Sequence, residues 1–143
     1  MNISKFTQKS MEAVEGCQKL AYEYGNQEIE QEHLLYSLLT IEDSLILKLI
    51  EKMEINKEHF LGRAEDALKK RVKVQGGELH VGADLNKALL SAEDEAKRLG
   101  DEYVSVEHLF LAMLGNPNRA LKEIFREYGI TRERFLQALS TVR

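Results

Sequence analysis

The sequence predicts an all-α fold of eight helices, built as two four-helix repeats, and three observations carry that expectation. Of the 143 residues, 43% are hydrophobic and 31% charged, and the chain is rich in Ala, Leu, Glu and Lys, which favour helix. One proline and nine glycines leave few places where a helix must stop. The third observation is internal. Shifted by 75 residues against itself, the chain aligns residues 6–65 with 81–140 without a gap, with identities that include Ala13/Ala88, Gly25/Gly100, Glu32/Glu107, His33/His108, Leu34/Leu109, Leu39/Leu114 and Phe60/Phe135. Near matches such as Val14/Leu89, Ile29/Val104, Leu49/Ile124 and Ile50/Phe125 keep apolar positions apolar, the mark of a duplicated structural unit.

The first helix is expected from about Thr7 to Tyr24, because Met11, Val14, Cys17, Leu20, Ala21 and Tyr24 recur at three- and four-residue spacings and form one face. Gly25 is the expected left-handed residue closing it. Gly100 closes the matching helix of the second copy, about Asp84 to Leu99. Short second helices follow, Glu32 to Thr40 and Glu107 to Leu114, with Ser105 as N-cap of the latter. Third helices, about Ser44 to Met53 and Arg119 to Tyr128, are expected to start after Asp43 and Asn118 as N-caps. The fourth pair has the clearest start signal. Ile55-Asn56-Lys57-Glu58 matches Ile130-Thr131-Arg132-Glu133, with a capping side chain, an acid in the first turn and an apolar residue just outside. Between the copies, Arg71 to Gly82 contains Gly76-Gly77 and the β-branched Val72 and Val74, so a surface linker is expected there and no strand outside it. A single domain over residues 1–143 follows, with Leu34, Leu39, Phe60, Leu109, Leu114 and Phe135 in its core.

Several functional classes lose their basis in the sequence. Twenty basic residues against 24 acidic ones give a net charge of −4, so no overall positive field draws nucleic acid or an anionic membrane. The apolar runs fall far short of a membrane span. Cys17 has no second cysteine for a disulfide, and the N-terminus lacks a basic-then-apolar signal pattern, which together point to the cytosol. No glycine precedes a lysine, so the phosphate-cradling loop of P-loop nucleotide binders is absent and no cofactor is expected in this chain. His33, His59, His80 and His108 are dispersed, which argues against a metal site, and neither G-x-S-x-G nor S-x-x-K occurs, so no catalytic residue is assigned. Cys17 lies on the apolar helix face as a small core residue. Lys69, Lys70, Arg71 and Lys73 read as a solvated cationic helix end.

One repeated motif remains. Glu32-His33-Leu34 and Glu107-His108-Leu109 occupy the first turn of each short second helix, where an acid faces the positive end of the helix and the leucine enters the core. Structure alone accounts for that pattern. The other reading has the two acids exposed beside a cleft between the copies, accepting hydrogen bonds from a partner.

The Thr7 helix start, the Tyr24-Gly25-Asn26 and Leu99-Gly100-Asp101 helix ends, the doubled Glu-His-Leu and Gly129-Ile130 before the last helix resemble the Clp N-terminal repeat domain. The resemblance spans essentially the whole chain. It implies eight helices in two pseudo-twofold halves preceding the ATPase modules of an AAA+ unfoldase, so that this chain would be part of a longer protein whose ATP and Mg sites lie elsewhere. The stretch Lys70-Arg71-Val72-Lys73-Val74-Gln75-Gly76-Gly77 is similar to the linker of the ClpB branch, while the doubled Glu-His-Leu is more typical of the ClpC branch. For the ClpB branch the resemblance implies a mobile module that binds unfolded or aggregated polypeptide on a homohexameric disaggregase working with the DnaK system in the stress response. The chain alone would then be monomeric. Its binding positions map onto Thr7, Leu89, Ser91, Asp101, Glu107 and His108, with Ser91 and His108 making the expected apolar groove more polar. For the ClpC branch it implies docking of adaptor proteins and recognition of phosphoarginine near Glu32 and Glu107.

Overall fold

The computed structural model describes residues 3–143. A short 3-10 turn, Ile3–Lys5, leads into α1 (Gln8–Glu23), followed by β1 (Glu28–Ile29), α2 (Gln31–Thr40), α3 (Leu45–Lys52) and α4 (Lys57–Lys69). After the linker come β2 (His80–Val81), α5 (Ala83–Arg98), α6 (Val106–Gly115), α7 (Arg119–Tyr128) and α8 (Arg132–Ser140). The fold is all-α, and its element bounds recur at an offset of 75 residues: α1 with α5 and α2 with α6 match at both ends, α4 with α8 at the start.

Local chemistry explains these boundaries. Thr7, Asn56, Asn118 and Thr131 each accept a hydrogen bond from a first-turn amide at the helix they cap. Gly25, Gly100 and Gly129 adopt positive φ where α1, α5 and α7 end. One expected cap is displaced. Asp43 is itself left-handed, with φ 54°, and Ser44 caps α3, its hydroxyl accepting from the Leu47 amide at 3.0 Å and donating to the Leu38 carbonyl at 2.6 Å.

A single apolar cluster runs through both repeats. Leu34, Leu39, Phe60, Leu109 and Phe135 are buried in it, and Phe110 stacks on Phe135 with ring centroids 4.5 Å apart. Leu114 is only partly buried, because it lies in the last turn of α6 at the rim of the cluster. Cys17 is inside, and burial pushes its thiol up to about 12.

The expectation that no strand lies outside the linker is corrected. β1 is such a strand, pairing in parallel with β2, Ile29 opposite Val81. The pair follows the repeat, because the isolated bridge Phe6–Val104 joins the residues 75 positions removed from those two. The arm before the first helix of each repeat thus pairs with the loop of the other, the reciprocal contact expected of two units about a twofold axis. Two-residue strands leave no alternating pattern to read, and so the sequence showed none.

Candidate functional site

The repeated Glu-His motif sits at equivalent places in the two halves. His33 and His108 are both fully buried, and each Nδ1 accepts from a backbone amide three residues earlier, Glu30 at 2.9 Å and Ser105 at 2.8 Å. That acceptor role puts the proton on Nε2, which donates to Asn26 Oδ1 at 2.9 Å and to Asp101 Oδ2 at 2.7 Å. Burial, joined by the nearby Arg71 charge, lowers His33 to about 4. At Asp101 burial acts the other way, but hydrogen bonds from His108 and Arg143 hold its carboxyl below the usual range.

The acids of the motif are not exposed, which corrects one of the two readings left open. Glu32 is 5% exposed and Glu107 6%. Glu32 accepts from Arg71 Nη1 at 2.8 Å and from Asn118 Nδ2 at 2.7 Å, and Glu107 accepts from Arg143 Nη2 at 2.6 Å. Each acid therefore holds a guanidinium contributed by the segment that follows the fourth helix of its own repeat. Arg71 also bonds Glu28 at 2.7 Å and Arg143 pairs with Asp101 at 2.8 Å. Arg71 is consequently no part of a solvated helix end. A carboxylate buried two residues from the cap draws it inward.

Two further residues join the halves. Glu30 is 4% exposed, and its Oε2 accepts from the Gln31 amide at 3.0 Å while Oε1 accepts from the Leu85 amide at 3.1 Å. Burial raises its carboxyl, and these amide bonds partly offset the rise. Gly82, the residue before α5, has no side chain with which to cap that helix, and Glu30 supplies the acceptor from the other repeat. A Cβ on Gly82 would lie 2.0 Å from Glu30 Oε1, so glycine is needed there for close approach. Gln31, fully buried, donates to the carbonyls of Asp84 and Asn116 at 3.0 and 2.8 Å and accepts from the Asn118 amide at 2.8 Å. Sequence reasoning missed Glu30, Gln31, Arg71 and Arg143, whose partners lie 36 to 87 residues away. The departure of Gly82 from Thr7 in the repeat alignment was the one available signal.

The structure gathers Thr7, Asp101, Glu107 and His108 around one loop. The Thr7 amide donates to the Val104 carbonyl at 2.9 Å, between Asp101 on one side and Glu107 on the other. Of these, His108 lies inside the protein and lines no groove. Leu89 is 6% exposed, a core residue, whereas its neighbour Leu90 is 52% exposed. Ser91 is half-buried and bonds its own helix at the Ala88 carbonyl, 3.1 Å away. Glu32 stands apart from this group, on an open groove of about 530 Å³ where the two repeats and the linker meet, lined by Glu28, Arg63, Arg71, His80 and Glu123 among others. Among the described residues no three His, Cys, Asp or Glu side chains form a metal-binding group, and no helix is long and apolar enough to cross a membrane.

Comparison with known proteins adds three findings. The family model described as Clp repeat (R) N-terminal domain matches residues 5–128. The chaperone protein ClpB of Nitratidesulfovibrio vulgaris is 39% identical over all of this chain, which spans 17% of that relative's length. Among solved structures, the Hsp104 N-terminal domain from Candida albicans superposes with a TM-score of 0.81 at 20% identity, covering 94% of this chain and 88% of that one. A ClpV N-domain in complex with a VipB peptide gives 0.74 at 22%, covering 96% and 89%.

Proposed function

The chain belongs to the Clp repeat N-terminal domain family, and from that premise we propose that it is the substrate-recognition domain of an ATP-dependent disaggregase of ClpB type, binding unfolded or aggregated polypeptide without catalysing a reaction itself. ATP and Mg act in ATPase modules elsewhere in the parent protein, a cytoplasmic homohexamer that works with the DnaK system. The observation that carries the reading is similarity to ClpB over the whole chain. The open groove between the repeats and the loop that follows α5, where Asp101 is partly exposed, supply surface for an extended chain. That a ClpV N-domain, alike in fold, is found with a peptide agrees with such a role. Weak contacts suffice for it, since a module tethered beside a motor gains affinity from effective concentration.

The test pairs binding with stability. A permanently unfolded model protein, labelled for fluorescence anisotropy, is titrated with the wild-type chain and with an Asp101→Asn variant, and unfolding of each is followed by heat. Saturable binding that the folded variant loses supports the loop as a contact surface. Intact affinity in the variant removes that surface, and no binding by the wild type removes the function.

A second reading has its own observation. Glu32 and Glu107 each hold a guanidinium of this chain, Arg71 and Arg143, so a ClpC-type domain recognising phosphoarginine or adaptor proteins at these acids would have to displace those arginines. Competition by phosphoarginine with steep salt dependence would favour it.

A further inference from the structure

The two reciprocal arm-to-loop contacts are alike on the inside and different on the outside. In the first, Thr7 and Val104 donate amides across the bridge, and the outward-facing amide of Phe6 is used by the Ile3 carbonyl at 3.0 Å, with the Phe6 ring buried. In the second, the His80 and Gly82 amides donate to Gln27 and Ile29 at 3.0 and 2.8 Å, which turns the amide and carbonyl of Val81 away from β1. Among the described residues those two groups have no partner, and Val81 is 50% exposed where its counterpart Phe6 is 7%. One arm is closed by its own turn. The other leaves an open sheet edge at Leu79 and Val81.

The side chains along that edge sort by face, since strand residues alternate. Leu79 and Val81 lie on one face, and Leu79 lines a small hollow of about 170 Å³ with Tyr22 and Val74, both exposed. His80 lies on the other face, the side of Glu28, with the exposed Glu78 two residues before it, and beyond lies a groove of mixed charge in which Glu32 is held by Arg71 and Glu123 lies 3.9 Å from Arg119. Glu78 and Asp84 have no ion-pair partner among the described residues. We propose that the free edge of β2 accepts an extended client segment as an added strand, one whose side chains alternate between cationic and apolar, the cations meeting the unpaired Glu78 and Asp84 and the apolar groups meeting Leu79, Val81 and Tyr22. The proposal rests on the polypeptide-binding reading above and names the mode and chemistry of the partner.

The experiment uses a fluorescein-labelled peptide of alternating lysine and valine. Saturable anisotropy is expected, with the Leu79 and Val81 amides showing the largest NMR shifts. N-methylation of the peptide's strand-facing amides should weaken binding about tenfold, the worth of one or two backbone hydrogen bonds, and glutamate in place of lysine should weaken it comparably. Val81→Pro, which deletes the outward amide, should weaken it too. Undiminished binding by the N-methylated peptide overturns the proposal without any protein variant that has to fold. So do shifts confined to the Glu32 or Glu107 surroundings. If the unfolded model protein binds but no peptide perturbs Leu79 or Val81, the edge is rejected while polypeptide binding stands.

Discussion

Glu30 commits both carboxylate oxygens to helix amides on opposite sides of the repeat boundary, and Gly82 leaves the space in which it does so. Gly82→Ala should therefore push a buried carboxylate off two helix starts and cost about 1–3 kcal/mol, read by urea unfolding; an unchanged midpoint would show that α5 does not depend on Glu30. At His33 the relevant variable is pH. Its folded value, about 4, lies below the ordinary 6.5, so the unfolded chain binds the extra proton between those values. Stability should be fully present above pH 6.5 and fall as pH drops towards 4, by about 3 kcal/mol if His33 titrates alone. A His33→Gln variant should lose that slope. The side chain of His33 was legible as part of a motif, but its role as an acceptor for the Glu30 amide needed the fold, because histidine at this helix position is no standard capping residue.

At the scale of elements, the starts of α4, α7 and α8 were legible because one polar side chain meets one amide within three residues. Thr131→Ala should accordingly cost about 1 kcal/mol in thermal unfolding. Leu109 in α6 was legible through its repeat partner Leu34, and with both fully buried, Leu109→Ala should cost about 2–5 kcal/mol. A cost under 1 kcal/mol would mean that the site collapses around the smaller side chain. The start of α3 was displaced by one residue because Asp43 and Ser44 are both capping types, and the choice between them went to Ser44, whose hydroxyl also reaches Leu38 from the preceding helix.

For the whole molecule, the absence of a glycine-lysine pair leads to one direct expectation: calorimetry of this chain with ATP and magnesium should show no saturable heat, and a micromolar site would remove the binding-module reading. The duplicated architecture produces two kinds of surface. One is the groove where the linker crosses between repeats, and the other is the loop at Asp101 to Glu107. They differ in charge because Asn26 in one copy stands where Asp101 stands in the other, so His33 faces a neutral amide and His108 a carboxylate.

The sequence by itself determined the helices, their order and their pairing into two copies, since apolar spacing, caps and glycine stops act over a few residues and the 75-residue offset repeats them. It determined the core positions for the same reason, apart from Leu114, which the fold leaves at the rim. Only the tertiary structure decided which polar groups face outward. The sequence left open whether Glu32 and Glu107 face solvent or the fold, and it is Arg71 and Arg143 that reach them from 39 and 36 residues away, while the Gly82 helix takes its cap from Glu30 at a separation of 55. A carboxylate draws its partner through space, and no local pattern in the chain carries that distance.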